Sequence, residues 1–295
     1  MAIEIKQIQY FDDHYYKIEI PYLTPEGEEI TETKYFPSYT TKLSVINKPQ
    51  LGIWRGDVGN REANLKMFEA SMRGKRIHKA WETYTKGGVL VYQPYEFDNY
   101  SEEEIAEIKE KSLQNYFICQ YQDEWVDILK LRAWVDVVKP DIHYSETIVY
   151  SLAYEEAGTV DNVFYIKEGE YLINGKKPLK LEEGLYIADL KTGKGVYDEA
   201  FLQVSGYGQA FEEMGLGTIV GALIIHTTAK TKTKTGIVGL STILRTKEQM
   251  TQDFQDYRHV SELWKRKNPN ISPKQLEMPT LIRMEKHEKN IQGES

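Results

Sequence analysis

The sequence predicts an α/β protein in which helices flank a central mixed β-sheet, with a β extension at the N-terminus. Three patterns lead to this prediction. Apolar residues recur with helical spacing over much of 38–138, alternate with period two over much of 146–191, and then switch between the two spacings as far as 267. The chain has 295 residues, of which 41% are hydrophobic, so it is long enough to bury a substantial core.

The N-terminal half begins with strand character and continues as helix. In residues 1–36, isoleucines and tyrosines alternate with polar residues between prolines and a glycine, which predicts the N-terminal β extension. A helical region starts at Ser38, and Asn60 is the expected N-cap of a helix running towards residue 84, with an interruption near Gly74 left open. A second helical block is predicted from Ser101, which opens a capping-box pattern, to about residue 138.

The C-terminal half alternates between strands and helices. An Asn-Gly pair at 174–175 indicates a hairpin turn. Strands are predicted over 147–150, 157–165, 170–173, 185–191, 218–228 and 235–243, and helices over 199–214 and 247–267. Residues 37–268 are thus expected to form one domain, and the polar residues 269–295 a C-terminal tail.

Composition restricts the kinds of protein that this chain can be. Cys119 is the only cysteine, so a disulfide framework or an iron–sulfur cluster cannot be built, and a reducing compartment is expected. The N-terminus lacks the apolar run of a signal peptide, and the longest apolar stretch, 215–225, is too short for a membrane helix. We therefore expect a cytoplasmic protein without a membrane partner. The net charge of −8 disfavours bulk attraction to nucleic acid.

Three charged residues on two predicted strands form the main candidate site. Asp189 and Lys191 are two positions apart in a strand, so their side chains share a face with apolar residues. Buried charges are costly unless they are paired or bind a metal. If the strand that carries Asp161 pairs with this one, two carboxylates converge, and such oxygen ligands suit Mg²⁺ or Mn²⁺. The alternative is that the strand simply ends in a solvated turn.

Two further patterns carry polar groups at regular spacing. Gln203 and Tyr207 are four positions apart, and therefore lie on one face of a predicted helix, where they could reach phosphates or the edge of the metal site. Lys230, Lys232 and Lys234 share a face if their segment is extended, and such a row could follow the phosphates of a nucleic acid. Lysines that guard a solvated edge strand are an equally good explanation.

The combination resembles the RecB-type branch of the PD-(D/E)XK nucleases. The resemblance covers about 38–228 and depends on Gly158 to Asp161, on Asp189-x-Lys191 and on Gln203-x-x-x-Tyr207. It extends upstream to Gly74-x-x-x-His78, in which the histidine would be a metal ligand, and to Glu146, which matches a frequent acidic position. Val160 replaces the proline of the family name, and the cysteines of the iron–sulfur members are absent.

The resemblance implies a restriction-endonuclease-like core and a Mg²⁺- or Mn²⁺-dependent deoxyribonuclease, most simply an exonuclease, acting in DNA recombination, repair or phage DNA metabolism. His78, Asp161, Asp189 and the carbonyl of Leu190 would hold the metal, and Lys191 would help to activate a water. DNA ends are the expected partner, and a recombination or single-strand-binding protein could be a second. An inactive nuclease-like module that holds DNA or a recombination partner is the alternative. The oligomeric state remains open.

Overall fold

The computed structural model describes residues 3–10, 13–94, 101, 103, 106, 115–175, 177–228, 236–270 and 272–273. Its central feature is a five-stranded mixed sheet. The strands lie in the order β12 (Ser241–Thr246), β11 (Ile219–His226), β10 (Gly184–Lys191), β7 (Glu156–Ile166) and β6 (Asp141–Ser151). β10 and β11 are parallel, and the other neighbouring pairs are antiparallel. The predicted α/β class with a central mixed sheet is confirmed.

Helices cover both faces of this sheet. One face packs against α1 (Tyr39–Leu43), α5 (Asp198–Glu213) and α6 (Lys247–Lys267), and the other against α3 (Asn60–Thr85) and α4 (Gln122–Val138). Helix α2 (Pro49–Val58) lies between α1 and α3 in the chain and contacts α3. Strand β10 is buried on both sides because its alternate side chains, such as Ile187 and Leu190, enter different apolar clusters.

The N-terminal segment forms an antiparallel sheet of β1 (Glu4–Tyr10), β2 (Asp13–Leu23) and β3 (Glu29–Pro37). Tyr16, Ile18 and Phe36 pack with Ala157 of β7 in a separate apolar cluster. The hydroxyl groups of Tyr16 and Thr159 are 2.8 Å apart and share a hydrogen bond. The extension therefore rests directly on the strand that carries Asp161.

Two small sheets complete the described fold. β4 (Val89–Tyr92) and β5 (Tyr116–Cys119) are parallel, and β8 (Gly169–Tyr171) and β9 (Leu179–Leu181) form an antiparallel pair on either side of the predicted hairpin turn. None of the helices among the described residues is long and apolar enough to cross a membrane.

Several predicted boundaries were wrong. β5 is a strand inside the predicted helical block, and α4 begins at Gln122 after it, whereas most of 102–114, where the block was predicted to start, lies outside the described residues. Helix α3 runs through Gly74 without a break, and Gly59, not Asn60, is its N-cap. β12 begins at Ser241 because the segment before it turns through two glycines of positive φ, Gly236 and Gly239. Residues 274–295 of the predicted tail, and the lysines at 230, 232 and 234, lie outside the described residues.

Candidate metal centre

The candidate site lies where two central strands separate. β7 and β10 pair from Gly184 opposite Ile166 to Ala188 opposite Asn162, and their pairing ends there. Beyond this point β7 continues alongside β6, and β10 continues alongside β11. Asp161 lies at the fork, and its Oδ2 accepts a hydrogen bond of 2.7 Å from the backbone amide of Leu190. A side chain thus takes the place of the next backbone bond, which leaves room between the strands for a ligand.

Groups from the two faces of the sheet meet at this fork. Asp189 and Lys191 continue the alternation of Ile187, whose side chain packs on the α5 face. His78 reaches the fork from α3, on the opposite face, and its Nδ1 lies 3.4 Å from Oδ1 of Asp161. The fork therefore brings together side chains that a continuous sheet would keep apart.

Three side chains offer a ligand set for one cation. Ligand atoms of His78, Glu146 and Asp161 all lie within 4.8 Å of one another, and all three residues are partly buried. One imidazole and two carboxylates fit Mn²⁺, and the carboxylates also fit Mg²⁺. The structure thus gathers Glu146 with two of the predicted ligands. Asp189 is outside this group of three, and a ligand role for Asp189 or for the Leu190 carbonyl stays a prediction.

Asp189 instead begins a chain of polar contacts towards α5. The Nζ of Lys191 lies 2.7 Å from Oδ2 of Asp189 and donates a hydrogen bond of 3.2 Å to Oε1 of Gln203. The Nε2 of Gln203 then donates to the hydroxyl of Tyr207 at 2.6 Å. Although it belongs to the ion pair, Oδ2 of Asp189 accepts no well-aligned hydrogen bond from a described residue, and it is buried. A carboxylate oxygen of this kind has capacity left for a further partner.

The charges at the fork depend on one another. Burial lowers the pKa of His78, but the charge of Asp161, its hydrogen bond to the imidazole and the charge of Asp189 together outweigh burial and raise the pKa to about 9. Burial raises the pKa of Asp161, yet His78, the Leu190 amide and Lys191 together hold the pKa of this carboxyl below its usual value. Burial, reinforced by Asp161, raises the pKa of Glu146 to about 7. Burial also raises the pKa of Asp189, although Lys191 opposes the shift. Without a bound cation, acidic groups are thus held close together at an energetic cost.

Glycines explain how the elements approach closely enough. A Cβ atom at Gly74 would lie 3.1 Å from the side chain of Thr192, so α3 lies against the end of β10 one turn before His78. A Cβ atom at Gly158 would lie 2.2 Å from the Tyr207 ring, and one at Gly206 would lie 2.4 Å from the Tyr39 ring. Packing therefore requires glycine at 158 and 206, whereas at Gly74 a Cβ would need the Thr192 side chain to shift by a few tenths of an ångström.

Sequence reasoning missed two supports of the site. Arg73 donates hydrogen bonds to the buried carboxylate of Asp127 at 2.6 Å and to the carbonyl of Thr192 at 3.5 Å, which ties α3 and α4 to the residue after Lys191. Glu146 adopts a φ of 50° inside β6, a conformation that non-glycine residues rarely adopt and that is often found at functional sites. No pattern in the sequence signals either feature, since both depend on pairing between distant segments.

Comparison with known proteins adds no family assignment. A scan of the sequence against models of protein families finds no match, and a search of curated proteins finds none with significant similarity.

Proposed function

We propose that this chain is a Mg²⁺- or Mn²⁺-dependent deoxyribonuclease with a restriction-endonuclease-like core, acting on DNA ends. The observation that carries the proposal is the fork between β7 and β10. There, His78, Glu146 and Asp161 form a compact ligand set beside the ion pair of Asp189 and Lys191. This arrangement agrees with the resemblance of the sequence to RecB-type PD-(D/E)XK nucleases.

The residues have distinct roles in this proposal. A divalent cation held by His78, Glu146 and Asp161 would supply charge that polarises a phosphoryl oxygen and lowers the pKa of a bound water. Lys191 is fixed between Asp189 and Gln203, and its ammonium has three N–H donors and no acceptor. Lys191 would therefore orient the attacking water or stabilise negative charge on the phosphate, rather than remove a proton.

Hydrolysis itself requires few other groups. The water loses a proton to solvent as its oxygen forms a bond to phosphorus, and the bond from phosphorus to the leaving sugar oxygen breaks as that oxygen takes up a proton from solvent. Gln203 and Tyr207 hold Lys191 from the α5 side, so their contribution is to its position.

The proposal is tested by incubating end-labelled single- and double-stranded DNA, and closed circles, with the protein and either Mn²⁺ or Mg²⁺. We expect cleavage that a chelator stops and that Asp189→Asn and Lys191→Gln each reduce by at least about a hundredfold. Asp136→Asn is a matched control, since this carboxylate on α4 is 65% exposed and pairs with Arg132 of the same helix. If all three DNA forms stay intact with either metal, the nuclease proposal is wrong.

The same DNA forms and variants distinguish the nuclease from the alternative, a module that holds DNA without cutting it. Retention of labelled DNA by wild-type protein and by Asp189→Asn, without cleavage under any metal, would support a nuclease-like module that only holds DNA. Cleavage of the closed circle would replace an exonuclease by an endonuclease.

A further inference from the structure

A cavity of about 320 Å³ opens beside the fork, on the α5 side of the sheet. Its volume is near the lower end of the roughly 300–1,000 Å³ that small-ligand sites occupy, which suits a ligand of about one nucleotide. One wall comes from α1 and the segment after it, and the other from the segment that leaves β10 and enters α5. Lys191 and Gln203 line the cavity and also belong to the candidate site, so the two spaces adjoin.

The cavity lining combines cationic, hydroxyl and apolar groups with one carboxylate, that of Glu199. Lys48 lies on the α1 side with its side chain 55% exposed, and its Nζ is held 3.1 Å from the carboxylate of Glu199. Ser44 adds an exposed hydroxyl, while Leu43 and Ala200 supply apolar surface. Cations at two points and an apolar wall suit a ligand with phosphates and a flat hydrophobic portion.

Tyr197 indicates what the flat portion is. It belongs to the cavity wall and is 67% exposed, the highest value among the exposed large hydrophobic residues that the structure describes. The tip of its ring would lie 3.9 Å from a Cβ at Gly195, so the ring leans over that glycine. Large aromatic rings are usually covered by protein, and a solvated ring beside cations is the arrangement with which proteins stack unpaired bases.

From this geometry we infer that the cavity is a subsite for one unpaired nucleotide next to the cleaved bond. Tyr197 stacks on its base, and Lys48 and Lys191 contact the phosphates on either side. The substrate class is therefore a single-stranded or frayed DNA end, because a base inside a duplex already stacks on its neighbours and does not offer a free face. This assignment rests on the proposed nuclease function, in which the phosphate that is cleaved lies at the adjoining fork.

The test uses the whole chain and an oligonucleotide with 2-aminopurine at its end, whose fluorescence falls when the base stacks. With chelator present, binding is measured without cleavage. We expect quenching on the single strand but not on a blunt, fully paired duplex. Tyr197→Ala should abolish the quenching and weaken binding by roughly 5- to 150-fold, the loss that follows removal of one base–aromatic stack. Tyr197→Phe keeps the ring and should behave as wild type.

The test includes one control variant and one further variant of the cavity. Tyr22→Ala removes another exposed tyrosine, 44% exposed and on β2 of the N-terminal sheet, and should change neither binding nor fluorescence. Lys48→Gln should weaken binding and lower its salt dependence by about one phosphate contact. The inference is overturned if Tyr197→Ala binds and quenches as wild type does, or if the blunt duplex is quenched equally.

Failure of the subsite and failure of the nuclease give different results. If wild type and Tyr197→Ala cleave single strands equally well with Mn²⁺, the nuclease stands and the subsite is wrong. If quenching depends on Tyr197 but no DNA is cleaved, the nuclease proposal fails while the preference of the cavity for an unpaired base remains.

Discussion

A single methyl group added at Gly158 should disturb both the core and the candidate site. In Gly158→Ala the new Cβ would lie 2.2 Å from Cε1 of Tyr207 and 2.8 Å from Cδ2 of Tyr39. Ordinary contact begins at about 3.4 Å, so the Tyr207 ring must move by at least about 1.2 Å. Neither ring is free to leave, since Tyr207 is 5% exposed and Tyr39 1% exposed.

The size of the effect follows from this crowding. Overpacking of a filled core costs about 1–3 kcal/mol, and two immobile rings place Gly158→Ala near the upper end of that range. Displacement of Tyr207 also breaks its 2.6 Å hydrogen bond with Gln203, which holds Lys191. We therefore expect a lower free energy of unfolding. In the folded protein we expect the proposed DNA cleavage to fall by at least about tenfold, because small displacements of positioning groups are costly to catalysis.

Urea denaturation followed by circular dichroism measures the first effect, and end-labelled cleavage the second. Gly56→Ala is the control: Gly56 lies in helix α2, a Cβ there would meet no atom within 4 Å, and alanine should leave stability unchanged or raise it by about 0.5–1 kcal/mol. The packing explanation is refuted if Gly158→Ala unfolds at the same urea concentration as wild type and cleaves at the same rate.

Three further predictions concern other buried groups. Lys42→Met leaves the carboxylate of Glu156 buried without its 2.6 Å ion pair and should lower the free energy of unfolding by about 3–5 kcal/mol. The double variant Lys42→Met, Glu156→Leu should recover much of this loss, because no buried charge is then left unpaired. An unchanged urea midpoint for Lys42→Met contradicts this prediction. With chelator present, protonated His78 stabilises the fold below pH 6.5, and this contribution is lost as the pH rises through about 9. The Tm of the wild type should therefore fall over that pH interval, and this fall should be absent in His78→Gln. The Cys119 thiol is buried with a raised pKa, so a thiol reagent should modify it only in denaturant; rapid labelling of native protein would disagree.

Much of the central architecture could be predicted because its patterns are local. The apolar run of β10 and its two charged residues are contiguous, and the structure confirms that Asp189 and Lys191 share the face of Ile187. The helix α6 matches its predicted range because its capping box and amphipathic spacing lie within one segment. Where a single segment determines the structure, its sequence was sufficient.

Other features depend on distant partners and were missed. The four residues of β5 read equally well as part of a helix, and only their pairing with β4 makes them a strand. Helix α3 is not interrupted at Gly74, where the glycine allows close contact with Thr192 and does not form a turn. Likewise, the sequence placed Glu146 near the site with an uncertain role, whereas its grouping with His78 and Asp161 follows from the pairing of β6 with β7.

The most direct test of the proposed centre is a calorimetric titration of chelator-treated protein with Mn²⁺, comparing wild type with Asp161→Asn. Asp161 contributes one of the three ligand atoms, and asparagine has nearly the same shape as aspartate without its charge. We predict saturable binding of Mn²⁺ to wild type and at least about tenfold weaker binding to Asp161→Asn. Wild-type protein that binds no Mn²⁺, or an Asp161→Asn variant that binds it equally well, would contradict a metal centre at the fork.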